Sequence, residues 1–75
     1  MWIERISQRY NQWIYKVDHY EIVLINFVSW AKTYEVIIRS KDFKENKVIY
    51  VLDFDIAKLK ALILAKELGW DIGSF

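Results

Sequence analysis

Four stretches of this chain are rich in β-branched and aromatic residues, and the connections between them are only two, five and six residues long. Residues 13–17 alternate, Asp18 and His19 break the pattern, and residues 20–28 resume as a nearly continuous apolar run. Residues 34–40 alternate again, with Tyr34, Val36 and Ile38 on one face and Glu35, Ile37 and Arg39 on the other. After a polar stretch at 41–46, residues 47–53 set Val48, Tyr50 and Leu52 opposite Ile49 and Val51. Parallel neighbours need a crossover of about a dozen residues or more, and none of these connections holds one. The expectation is an antiparallel meander of three to four strands.

The last third adds a helix. Asp55, preceded by Phe54 and followed four positions later by Leu59, has the arrangement of an N-cap with a hydrophobic staple. Gly69 suits the left-handed residue that closes a helix, and Lys66 suits the negative end of its dipole. Ile56, Leu59, Leu62 and Ile63 form the stripe expected to lie on the sheet. Ala57, Ala61, Leu64 and Leu68 form a second stripe at 4-3-4 spacing, expected to face a partner. At the other end, Trp2, Ile3, Ile6, Tyr10 and Trp13 fit a short N-terminal helix; the rival is a strand paired through a turn at residues 10–12. The fold class is α+β, a meander with a C-terminal helix packed on one face, in a single domain over residues 1–75.

A chain of 75 residues buries only about 60–65% of the surface its unfolded form exposes. Added stabilisation comes from disulfides, metals or oligomerisation. There is no cysteine, and one histidine, His19, is a poor start for a zinc site. Oligomerisation remains, and the strand faces point the same way. With Ile22, Leu24, Val36, Ile38, Val48, Tyr50 and Leu52 beneath the helix, the other face carries Val23, Ile25, Phe27, Ile37, Ile49 and Val51. A solvated face of an antiparallel sheet should be polar. These six residues, with Ala57, Ala61, Leu64 and Leu68, are therefore the expected interface, covered by the N-terminal helix and a second copy.

The chemistry-bearing residues are sparse. Asp53 and Asp55 at a strand end have the spacing of paired metal ligands, yet lack a third ligand and fit helix capping better. Asp42 and Glu45 fall within one turn, with Lys47 just after it, and Asp18, His19 and Glu21 on another, with no nucleophile nearby. No glycine-rich phosphate loop or nucleophile elbow is present. The expectation is no catalytic residue, no metal and no cofactor. Lys and Arg total 11 against 10 Asp and Glu, a net charge of +1 that lacks the strongly basic field of a nucleic-acid binder. Arg39, Lys41, Lys44 and Lys47, followed by Lys58 and Lys60, nevertheless make a set that would straddle phosphates in an alternative reading.

The longest apolar run, residues 22–31, is about half of what a membrane-spanning helix needs. Residues 1–4 lack a secretory start, so a cytoplasmic location without membrane association is expected. A preference for Ile, Lys, Tyr and Asn fits a low-GC bacterium or its phages. The function expected is a non-enzymatic interaction module, a small homodimeric regulator or inhibitor that binds itself and another protein.

Overall fold

The structure, a computed structural model, describes residues 2–6 and 11–73. Five strands precede one helix: β1 (Trp2–Ile6), β2 (Asn11–Val17), β3 (Tyr20–Val28), β4 (Thr33–Arg39), β5 (Asn46–Val51) and α1 (Phe54–Glu67). The strands form one sheet in chain order, and each pairs antiparallel with its neighbours. The α+β class and the meander agree with the sequence.

The strand count is five rather than three to four, because the N-terminal segment is a strand and not a helix. Trp2 lies opposite Tyr15 and Ile3 opposite Ile14. An isolated helix of two or three turns is unstable in water, whereas β1 gains a full ladder on β2. Trp2 also meets Tyr15 edge-on, with ring centroids 5.2 Å apart. Residues 7–10, which include Tyr10 of the expected helical stripe, lie outside the described residues.

The hairpin between β2 and β3 turns at Asp18, whose φ of 55° is left-handed; Asp tolerates this conformation better than most residues do. Phe43 takes φ 60° in the β4–β5 turn, where its amide donates to Ser40 O at 3.0 Å. Its ring sits against Tyr20 and Trp70, at 4.9 and 6.0 Å.

Register decides which residues meet the helix, and it overturns part of the expectation. Val23 faces Ile38, and Ile25 faces Val36, which in turn faces Ile49. Val23, Ile25, Val36 and Ile38 are fully buried in the core, with Ile49 and Val51 packed against it. Val36 and Ile38 were expected beneath the helix, as was Ile22, which is also fully buried in this core; from Val23 to Phe27 and along β5, however, the faces are opposite to those expected. Leu24, Ile37 and Val48 share the other face. The nearly continuous apolar run of β3 contains no alternation to read, and a phase error of one residue exchanges the faces.

The helix is rotated in the same sense. Ala57, Ala61 and Ala65 are fully buried against the sheet, while Ile56, Leu59 and Ile63 are exposed. The sheet already carries Trp13, Tyr34 and Phe27 on its helix side, with Phe54 4.5 Å from Trp13 and 5.6 Å from Tyr34. Beneath such bulky neighbours, small side chains let the helix approach closely enough to fill the layer. The N-cap is Asp53 rather than Asp55: its backbone is extended (φ −128°, ψ 136°) and its Oδ1 accepts the Ile56 amide hydrogen at 3.0 Å. Asp55 sits in the first turn. At the C-terminus Gly69 adopts φ 103°. Its amide donates to Lys66 O at 3.1 Å and that of Trp70 to Ala65 O at 3.0 Å, the paired bonds of a Schellman motif.

Candidate interaction surface

Nine large apolar side chains are exposed among the described residues, and six of them lie between residues 48 and 63. Ile56, Leu59 and Ile63 recur at 3-4 spacing along the outward side of α1, with Leu52 just before it. Leu52 is 79% exposed, Leu59 58%, Ile63 49% and Ile56 47%. Val48 and Tyr50 are exposed on β5, an edge strand with a neighbour on one side only. Outside this region, Trp30 stands at the β3–β4 turn.

The sheet face away from the helix is mixed. Gln12, Asn26, Glu35 and Tyr50 are successive cross-strand neighbours. Their side chains form a chain of hydrogen bonds: Gln12 Nε2 donates to Asn26 Oδ1 (2.6 Å), Asn26 Nδ2 to Glu35 Oε1 (3.2 Å) and Tyr50 Oη to Glu35 Oε2 (3.0 Å). The bond to Glu35, then its negative charge, then burial raise the Tyr50 pKa. Beside this polar row runs an apolar one: Ile3, Ile14, Leu24, Ile37 and Val48. Ile14 in that row is fully buried.

The ten residues expected at an interface are dispersed. Val23, Ile25, Ala57 and Ala61 have no exposed surface. Phe27, Ile49, Val51, Leu64 and Leu68 are half-buried, and the last four pack against the core. Ile37 is half-buried on the other sheet face. The outward helix stripe is made instead by Ile56, Leu59 and Ile63, three of the four residues assigned from the sequence to the sheet; the fourth, Leu62, packs against the core. Helical spacing alone gives two stripes without saying which is dry; the alanines, too small to demand a partner, were the available signal.

The basic set is divided. Arg39, Lys41, Lys44, Lys47 and Lys60 are exposed. Lys58 places its Nζ 5.8 Å from the ring centroids of both Trp2 and Phe54, a cation–π arrangement on the inner flank of the helix. Within the β4–β5 turn, Asp42 accepts hydrogen bonds from the Ser40 hydroxyl (2.6 Å) and the Lys44 amide (3.0 Å). These bonds, the Ser40 one foremost, hold its carboxyl below its ordinary pKa. An open cleft nearby is lined by Ser40, Lys41, Asp42, Glu45, Glu67, Leu68 and Gly69. His19 is exposed on its turn, and Asp53 is occupied in capping. Among the described residues no group of three or more His, Cys, Asp or Glu is placed to hold a metal ion, and no helix is long and apolar enough to cross a membrane. Comparison with known families, characterised proteins and solved structures finds no match to this chain.

Proposed function

We propose that this chain is a non-enzymatic protein-interaction module that works as a homodimer, in the manner of a small bacterial or phage regulator or inhibitor. The observation that carries this reading is the concentration of exposed apolar side chains between Leu52 and Ile63, on a helix whose other side is already packed. Contiguous apolar surface of this kind on a small domain marks an interaction site. The polar groups described above serve structure: Asp53 caps, Asp42 closes a turn, and the Gln12–Tyr50 row bonds to itself. Sedimentation equilibrium at micromolar concentration should give about twice the 9.1 kDa chain mass. A monomer across the whole accessible range would end the homodimer reading.

Nucleic-acid binding through Arg39, Lys41, Lys44, Lys47, Lys58 and Lys60 is the alternative. It draws less support, because Lys58 is held over aromatic rings and Asp42 and Glu45 stand among the other cations. Six phosphate contacts would give a log–log salt slope of about −5 for binding to a duplex. A slope that steep would favour this alternative.

A further inference from the structure

Resting on the homodimer reading, we infer that the second copy seats its α1 antiparallel on the outward face of this α1, about a two-fold axis that runs between the two helices, perpendicular to both, at the level of Ala61. The core side of the helix is fixed by Ala57, Ala61 and Ala65. At 100° per residue, the opposite side is centred on Leu59 and Ile63, with Ile56 beside them. Asp55 and Lys66 lie eleven residues apart, about three turns, and so share one flank of that stripe.

This arrangement is self-complementary in a way that a generic apolar patch is not. An isologous contact must match a surface to its own copy turned end for end. With the axis beside Ala61, Leu59 meets the partner's Ile63, and Ile63 meets the partner's Leu59. The same turn brings Asp55 near the partner's Lys66 and Lys66 near the partner's Asp55, on the flank of the stripe away from Ile56. Both ion pairs bracket the apolar centre, as the flanking charges of a two-helix seam do. Antiparallel helices also place opposite dipole ends side by side. A parallel pairing would leave Asp55 and the partner's Lys66 at opposite ends of the seam, so neither ion pair forms, and would set like dipole ends side by side. Neither sheet takes part, so the assembly is layered sheet, helix, helix, sheet.

The test reverses charge within one chain. At low salt Asp55→Lys should raise the dimer dissociation constant roughly tenfold, because each seam end then holds two cations. Adding Lys66→Asp to the same chain should restore the original affinity, since each reversed pair is again opposite in sign. Circular dichroism of every variant establishes that the protomer remains folded. Failure of the double variant to recover, with the protein folded and dimeric at higher concentration, overturns the antiparallel seam and leaves the homodimer standing.

Placement is read independently by crosslinking, because the chain has no native cysteine. Leu59→Cys should be joined to its copy by a short bis-maleimide, whereas Val48→Cys on the β5 edge and Trp30→Cys at the far turn should not. A dimeric protein that links through Val48→Cys and not through Leu59→Cys moves the contact to the sheet edge and refutes the helix seam. A protein monomeric at every concentration removes the seam together with the reading beneath it.

Discussion

Asp53 joins the sheet to the helix through a single side-chain contact, 3.0 Å from Oδ1 to the Ile56 nitrogen. Asp53→Ala should therefore cost about 1 kcal/mol in denaturant unfolding, while Asp53→Asn, which still accepts that hydrogen, should cost little. Equal losses from both would mean that the carboxylate charge, and not the cap, matters. Asp42 makes a second residue-scale prediction, through pH. Its folded pKa is lowered from 3.8 by the Ser40 hydroxyl and the Lys44 amide, so it binds a proton less readily when folded. The resulting stability is present above the unfolded value and is lost as pH falls through the folded one. Wild type should thus lose more stability than Asp42→Asn on acidification below about pH 4, and Ser40→Ala should shrink the difference. The sequence placed the cap at Asp55, two residues late. Both aspartates precede apolar residues at suitable spacing, and only the extended backbone of Asp53 tells them apart.

At the scale of the element, α1 reverses a common assumption, because Ile56, Leu59 and Ile63 face outward while its alanines face in, with Phe54, Leu62 and Leu64 packed at the margin of the core. Ala61→Leu should destabilise the protomer by about 1–3 kcal/mol, since the added methylenes have nowhere to go, and a thermal melt would show it. A neutral or raised melting temperature would mean that the helix stands further from the sheet than it does here. The strands were readable wherever polar residues alternate with apolar ones, as in β4, where Val36 and Ile38 were correctly placed. They were unreadable where alternation fails: β3 is apolar on both faces, and its orientation is fixed only by pairing with Trp13 and Tyr15 on one side and with Val36 and Ile38 on the other. β1 stood only as the rival to a helix, because its five residues fit either period.

For the whole molecule, the class, the meander and the final helix were legible, since short connections leave few other topologies. The surface was not. Which stripe of α1 is left over depends on what the sheet has already buried, a sum over five strands that no local pattern carries. The strand order also bears on how the chain folds. Because each strand lies beside its neighbour in sequence, the hairpins are local contacts, the kind that form fastest. α1 roofs Val23, Ile25, Val36 and Ile38, so a sheet formed without it presents a greasy underside to its surroundings. A chain ending at residue 53 should consequently be found in the insoluble fraction, or on a holdase, at concentrations where the 75-residue protein stays in solution. Supplying α1 as a separate peptide during refolding should rescue part of it, and rescue should fail when that peptide carries Ala61→Asp.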